Sequence, residues 1–239
     1  MKSSKAIFFW SGGKDSAYCL HKVLKEKLFD IEYLLTTVND NYKRVSMHGV
    51  REELLEAQAK SIGIPLLKVG VIEGTNNEYE RLIKETLLKA KSKDIYNVIY
   101  GDIFLEDLRV YREDFLSKIG MQGIFPIWNI NTFELINDFI KQKFKSIICC
   151  TNDGYLGKEW LGREIDESFV QKLPNNCDPC GENGEYHTFC YDGPLFKERI
   201  NLKVGKRIYK RLEIKDKENL QTTNQLKTQG FWFCDLLSK

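Results

Sequence analysis

The chain has 239 residues, of which 42% are hydrophobic and 29% charged, a composition typical of a folded globular protein and unlike that of a disordered one. Its 36 Lys and Arg nearly balance 34 Asp and Glu, so nothing in the whole-chain charge predicts nucleic acid or an acidic membrane as a partner. The apolar run Ala6-Ile7-Phe8-Phe9-Trp10 is too short for a signal peptide, and no other stretch approaches the length of a membrane span. We therefore expect a cytoplasmic protein whose seven cysteines are reduced thiols.

Short apolar runs alternate with amphipathic segments through the first half of the chain. Because parallel neighbours need helical crossovers, this alternation predicts a parallel sheet covered by helices on both faces. Ligands of such sheets bind at the carboxyl ends of the strands. The predicted strands cover residues 5–10, 31–38, 66–71 and 98–101, and the predicted helices cover 16–28, 50–62, 78–91 and 105–119.

The pattern changes after Pro126, which predicts two domains, residues 1–125 and residues 126–239. Residues 177–193 are rich in Gly, Pro, Asn and Asp and are interpreted as a long functional loop or the turn system of a second subdomain. The other predicted elements are a helix over 133–144, a strand over 146–151, and a strand pair over 203–214 and 230–237 joined by a polar loop over 215–229.

The hexapeptide Ser11-Gly12-Gly13-Lys14-Asp15-Ser16 joins the first predicted strand to the first predicted helix. Its glycines let the backbone approach an anion, its serines and Lys14 add donors and a charge, and the helix N-terminus adds free N–H groups. Asp15 fits a phosphate site if Mg²⁺ lies between its carboxylate and the phosphates. The alternative is an ordinary Ser-Gly-Gly turn with an N-cap serine. The position at a strand-to-helix junction favours a nucleotide site.

This loop resembles that of the N-type ATP pyrophosphatases, the PP-loop superfamily, which split ATP between its α- and β-phosphates. The match narrows to the diphthine-ammonia ligase family through four further motifs in the same order along residues 6–196. They are Tyr100-Gly101-Asp102-Ile103, Leu108-Arg109-Val110-Tyr111-Arg112-Glu113, Pro126-Ile127-Trp128 and Gly181-Glu182-Asn183-Gly184-Glu185-Tyr186-His187-Thr188.

The resemblance implies an α/β protein with a Rossmann-like ATP-binding domain of the adenine nucleotide alpha hydrolase type and a smaller C-terminal α+β substrate domain. It also implies ATP and ammonium as co-substrates, Mg²⁺ as cofactor, and an acceptor that carries a carboxylate. In eukaryotes and archaea, the acceptor of this family is diphthine on elongation factor 2. Residues 44–51, the run Asp178-Pro179-Cys180 and His187 are more similar to the bacterial branch of the family. Since bacteria lack diphthamide, this leaves the acceptor open.

The mechanism implied by the resemblance begins with attack of the acceptor carboxylate on the α-phosphate of ATP, while Lys14 neutralises the phosphates. Ammonia then displaces AMP from the acyl-adenylate. Glu182 and Glu185 bracket a tight Asn-Gly turn and are the candidates to bind ammonium, take its proton or hold Mg²⁺, with the base assigned to Glu185. An exposed acidic turn is the alternative. Lys14 and Asp15 are expected in a solvated site outside the core.

Six other residues are candidates for contacts around this site. Gly101 and Asp102 end a predicted strand and are expected to face ATP, although a strand-end Asp is often only the N-cap of the next helix. Arg109 and Arg112 share one side of a helix and could bind a phosphate or an acidic substrate group. The alternative is a solvated salt-bridge ladder of Arg109 with Glu106 and Glu113. His48 is placed near the adenine or ribose, and His187 near the substrate.

Two other functions stay open at this point. A PP-loop tRNA sulfur-transferase would use the same ATP chemistry with Cys177 and Cys180 as sulfur carriers, but the chain lacks an overall basic face. A sensor that binds ATP without turnover is the second. Zinc is not expected, because the spacing from Cys180 to Cys190 matches no standard zinc motif. A homodimer is left open.

Overall fold

The protein is described by a computed structural model that covers residues 4–45, 48–71, 76–212 and 228–239. Its first sheet has five parallel strands in the order β4-β2-β1-β5-β6, and the short strand β3 pairs antiparallel with the end of β2. These strands are β1 (Lys5–Phe9), β2 (Asp30–Asn39), β3 (Arg44–Val45), β4 (Leu66–Val71), β5 (Asn97–Ile99) and β6 (Gln122–Ile124).

Helices cover both faces of this sheet, as predicted. Alternate residues of β1 point to opposite faces: Ala6 and Phe8 pack with the first two helices, whereas Ile7 packs with the next two. The second helix ends where predicted, at Gly63, whose left-handed φ of 87° closes it. The four helices are α1 (Lys14–Lys25), α2 (Glu52–Ile62), α3 (Asn76–Lys91) and α4 (Glu106–Ser117).

A second, antiparallel sheet follows, in the strand order β8-β7-β10-β9. The prediction for residues 177–193 was wrong in part, because residues 186–192 form a buried strand, whereas the turn-forming residues before it favoured a loop. Residues 213–227, which contain most of the predicted polar loop, lie outside the described residues. The elements here are α5 (Thr132–Lys141), β7 (Lys145–Asn152), α6 (Glu167–Lys172), β8 (Tyr186–Asp192), β9 (Leu202–Arg211) and β10 (Gly230–Ser238).

One hydrophobic core joins the two sheets. It contains Leu20 from α1, Leu54 from α2, Phe139 from α5 and Phe189 from β8, each fully buried. The hydroxyl of Tyr18 also donates to Asp138 across the junction at 2.6 Å. The division into domains at residue 125 stays a prediction. Within the described ranges, no helix has both the length and the apolar character needed to cross a membrane.

Candidate functional site

The predicted phosphate loop lies at the carboxyl end of the central strand β1. Strand β1 has β2 on one side and β5 on the other, so the order of the parallel strands reverses at β1. Ligands of such sheets usually bind at the point of reversal, which is where the loop lies. Gly12 has a left-handed φ of 79°. The hydroxyls of Ser11 and Ser16 meet across the loop at 2.7 Å. Gly101 allows β5 to approach, because a Cβ there would lie 3.3 Å from the backbone of Asp15 and Ser16.

Lys14 is buried, which corrects the expectation of a solvated side chain; only 2% of it is exposed. Its Nζ contacts Asp15 Oδ2 at 2.7 Å, donates to the carbonyl of Cys180, and lies 5.3 Å from the centre of the Tyr186 ring. Burial disfavours the ammonium, but Asp15 and the neighbouring acidic groups outweigh it, and the pKa of Lys14 is raised. The loop therefore holds a buried, charged ammonium.

Strand β8 of the second sheet packs directly against the phosphate loop. Thr188 Oγ1 accepts from the backbone N–H of Lys14 at 3.0 Å, and the N–H of Cys190 donates to the carbonyl of Gly12 at 2.8 Å. Gln58, which is fully buried on α2, donates to both the Gly12 and Cys190 carbonyls and accepts from Trp10 Nε1. Thr188 and Gln58 therefore fix how the loop meets the second sheet.

Sequence reasoning did not select Gln58 or Thr188 as site residues. A signal for Gln58 existed: it lies on the apolar face of α2 with Leu54, Leu55 and Ile62, where an amide needs partners. Thr188 belongs to the motif that carried the resemblance, but its role depends on a contact 174 residues apart in sequence. Only the fold reveals such a contact.

The two glutamates of the Gly181–Thr188 motif have different surroundings. Glu182 reaches towards the end of β5, where its Oε1 accepts from the N–H of Ile103 at 2.7 Å. Burial, with the nearby charge of Asp15, raises the pKa of Glu182 to about 7. Glu185 turns inward and is 1% exposed; its Oε1 accepts from the N–H of Asp178 at 2.9 Å and from Asn183. The exposed acidic turn that was the alternative is thus absent at these two positions.

Asp102 forms an ion pair with Arg112. The Nε of Arg112 lies 2.9 Å from Asp102 Oδ2, and its guanidinium lies 4.1 Å from the centre of the Tyr100 ring. Burial raises the pKa of Asp102 although Arg112 opposes this. Asp102 does not cap α4, whose N-cap is Leu105 without a side-chain hydrogen bond. This carboxylate therefore lies beside the loop but already has a cationic partner.

Arg109 points to a different set of partners from Arg112, although both lie on α4. Its Nε contacts Glu113 Oε1 at 2.9 Å, which is one of the two salt bridges foreseen, and its guanidinium lies over the rings of Phe125 and Trp128. Arg109 is 32% exposed, against 20% for Arg112. Of the two, Arg109 is the more accessible to a ligand.

His48 and His187 pack against each other beside the loop, with ring centres 4.7 Å apart and ring planes tilted by 34°. The Nδ1 of His48 lies 3.0 Å from the carbonyl oxygen of Thr188, and a Cβ on Gly13 would lie 2.9 Å from His48 Cε1. Burial lowers the pKa of His48 to about 4 and that of His187 to about 3. The structure thus brings together two histidines that had been assigned to separate roles.

Comparison with known proteins decides the family. The family model described as the diphthamide synthase N-terminal domain matches residues 4–123, and that of the C-terminal domain matches residues 131–221. The chain belongs to the diphthamide synthase family.

Proteins named diphthine–ammonia ligase are among the curated relatives. The rat protein is 27% identical over 222 residues, which cover 80% of this chain and 79% of the relative. The human protein is 24% identical with the same coverage of both chains. The fission yeast protein is 26% identical over 83% of this chain but only 36% of its own length.

Membership of the diphthamide synthase family confirms the predicted class of enzyme, an ATP-dependent ligase that forms a C–N bond. It does not favour the sulfur-transferase or the sensor. The cysteine pair of the sulfur-transferase hypothesis is buried, and burial raises the pKa of Cys177 to about 11, which makes it a poor nucleophile. Among the residues that the structure describes, no three or more His, Cys, Asp or Glu side chains lie together in a way that could hold a metal ion.

Proposed function

We propose that the chain binds ATP on residues 11–16, transfers AMP to a carboxylate, and converts the acyl-adenylate to an amide with ammonium. The observation that carries this proposal is the contact of the phosphate loop with residues 180–188, the segment that contains both glutamates. Lys14 of the phosphate loop donates to Cys180, and Glu182, two residues later, reaches β5 beside Asp102. A buried cation for the phosphates and a carboxylate for the nitrogen nucleophile therefore lie in one site.

The first step needs charge stabilisation more than covalent help from the protein. As the acceptor oxygen attacks the α-phosphate, the bond to the β-phosphate breaks and negative charge grows on pyrophosphate. Lys14 lies at the positive end of α1, so its ammonium and the loop N–H groups act on the same phosphates. Gly12 and Gly13 let the loop pack closely against Gln58 and His48, because a Cβ on Gly12 would lie 2.8 Å from Gln58 Oε1 and one on Gly13 2.9 Å from His48 Cε1.

Asp15 fits a single ligand of a Mg²⁺ site, because magnesium is commonly held by one or two carboxylates together with substrate phosphates. Its side chain is 25% exposed beside the phosphate loop. The nearby carboxylate of Glu182 adds negative charge, which suits a divalent cation. When bound to Asp15, Mg²⁺ would neutralise phosphate charge and leave Glu182 to act in the second step.

The second step needs a base, and the geometry favours Glu182 over Glu185. A carboxylate with a pKa of about 7 is ionised in part at neutral pH and can take the proton that ammonia releases as it attacks the acyl carbon. Glu185 is enclosed, and its Oε1 orders the turn through Asp178 and Asn183. We therefore move the base from Glu185 to Glu182 and assign Glu185 a positioning role.

The relatives named diphthine–ammonia ligase make the carboxylate of diphthine the first acceptor to test. Arg109 is the accessible cation for an acidic group near this acceptor. His187, on β8, lies beside Thr188 at the loop and is proposed to face the nucleotide more than the acceptor.

Exchange of labelled pyrophosphate into ATP tests the first step directly. We expect exchange that depends on the acceptor carboxylate, and AMP release in proportion to added ammonium. A Lys22→Ala protein serves as control, since Lys22 is a partly exposed residue of α1 that pairs with Glu26. No exchange with diphthine-bearing acceptors or with simple carboxylates, despite ATP binding, would contradict an adenylating enzyme.

A further inference from the structure

The neighbouring imidazoles of His48 and His187 have no role in the proposed adenylation and amidation steps. Three features place them at the phosphates: His48 Cε1 overhangs Gly13, Thr188 binds both His48 and the N–H of Lys14, and His187 directly precedes Thr188 on β8. A triphosphate seated on the loop would therefore lie next to these rings.

The hydrogen bond of His48 fixes its tautomer. A carbonyl oxygen only accepts, so the proton of the neutral ring is on Nδ1, at 3.0 Å from Thr188 O, and Nε2 carries a lone pair. Nε2 is then the atom that can gain a proton. Among the described residues, the side chain of His187 has no hydrogen bond and makes its ring contact with His48.

The surroundings explain why both rings are neutral before nucleotide binds. Burial disfavours the charged form of both rings, and the charge of Lys14 on α1 also lowers the pKa of each. A charge on His48 further lowers the pKa of His187. On β7, Cys150 pairs with His187 in register, and burial raises the pKa of its thiol to about 12, so it brings no charge. Thr188 contributes only its carbonyl and hydroxyl.

The loop is short of positive charge for a triphosphate. Lys14 is already paired with Asp15, and Arg112 with Asp102, while Glu182 adds a further acidic group. A nucleotide with about four negative charges would reverse the field at the two imidazoles and favour their protonated form.

Resting on the proposed ATP binding, we infer that His48 and His187 are a proton-accepting pair: nucleotide binding draws a proton onto one ring, and the imidazolium then binds the phosphates. In the absence of ATP, the same pair leaves no extra cation beside Lys14. The pair thus couples nucleotide binding to proton uptake.

The chain has only three histidines, which makes the test direct. Protein labelled with ¹⁵N-histidine would be titrated near pH 7 with Mg²⁺ and α,β-methylene-ATP, which cannot be cleaved between its α- and β-phosphates. We expect two neutral rings beside the loop in the free protein and one imidazolium in the complex. His21, which packs on Phe144, serves as the internal control and should keep its state.

Calorimetry in two buffers of different ionisation enthalpy gives an independent reading. Proton uptake on binding should fall by at least about half in His48→Asn and in His187→Gln. The affinity of His48→Asn should be lower by roughly tenfold near pH 6.5, with a smaller difference near pH 8.5, where the bound imidazolium is lost. Any change in protonation of the nucleotide contributes equally to each measurement, so it cancels when the proton uptake of a variant is compared with that of the unsubstituted protein.

The outcomes separate this inference from the proposed function. If the analogue binds and both rings stay neutral, the proton-accepting pair is wrong and ATP binding stands. If the analogue does not bind to the folded protein at all, the proposed function fails and the inference fails with it. The spectra of the unsubstituted protein decide the matter even if a variant does not fold.

Discussion

Lys14 contributes both to the stability of the protein and to the proposed chemistry. Truncation would leave the carboxylate of Asp15 and the Cys180 carbonyl without their cation in a nearly closed site. We expect Lys14→Ala to lower the rate of pyrophosphate release by about a hundredfold or more and the free energy of unfolding by about 2 kcal/mol. Pyrophosphate release and urea unfolding measure the two effects. Lys22→Ala should change neither.

Glu182 and Glu185 provide a matched pair of substitutions to glutamine. Glu182→Gln keeps the acceptor for Ile103 but cannot take a proton, so amide formation should fall by about a hundredfold while adenylate still forms. Glu185→Gln keeps an oxygen for Asp178 and should change amide formation by less than about tenfold. Single-turnover assays of each half-reaction distinguish them. The reverse ranking would return the base to Glu185.

The raised pKa of Glu182 also predicts a pH dependence of stability. The folded-state value of about 7 lies above the ordinary 4.5, so folding favours the protonated acid. This contribution is complete below pH 4.5 and is lost as the pH rises through 7. The glutamine in Glu182→Gln does not ionise, so this variant does not lose stability as the pH rises. Near pH 8 its unfolding free energy should therefore be higher than that of the unsubstituted protein by up to about 3 kcal/mol. Equal pH profiles of the two proteins in urea unfolding would contradict the shift.

At the scale of secondary structure elements, α2 holds the phosphate loop against β8 through one amide. Gln58 bridges carbonyls of Gly12 and Cys190 and receives the indole N–H of Trp10, so Leu at this position would leave buried polar groups unpaired.

We expect Gln58→Leu to cost about 2–4 kcal/mol in unfolding free energy and to weaken the binding of α,β-methylene-ATP, because the loop loses its support. Thermal unfolding and calorimetric titration measure these changes. Lys60→Leu, on the exposed side of the same helix, provides the control. An unchanged affinity in Gln58→Leu would show that the loop keeps its shape without α2.

For the whole molecule, the continuous core between the two sheets predicts a single cooperative unfolding transition. Leu20 and Phe189 belong to the same buried cluster, and β8 is hydrogen-bonded to the phosphate loop, so neither sheet can unfold without exposing the other. Far-ultraviolet circular dichroism and tryptophan fluorescence should report coincident transitions in urea. Two separate transitions would support independent domains divided near residue 125.

Local sequence patterns were sufficient to predict the first sheet and its helices, because each βα unit buries its apolar face against elements that are close to it in sequence. The end of α2 at Gly63 is an example. The prediction was weaker for residues 186–192, whose apolar residues pack against β7 and α1, elements distant in sequence. Turn-forming residues before that strand gave the stronger local signal.

The sequence by itself determined the parallel sheet and the position of the phosphate loop at the end of β1, because the strand, the loop and the helix are neighbours in sequence. It also determined the family, because four further motifs follow the loop in the same order along residues 6–196. Only the tertiary structure decided that Lys14 is buried, that Glu182 and Glu185 have different surroundings, and that His48 packs against His187. The contacts of Lys14 with Cys180 and of His48 with Thr188 join residues more than a hundred positions apart, and that of Glu182 with Ile103 joins residues 79 positions apart. Burial and charge are properties of those contacts, and no local pattern contains them.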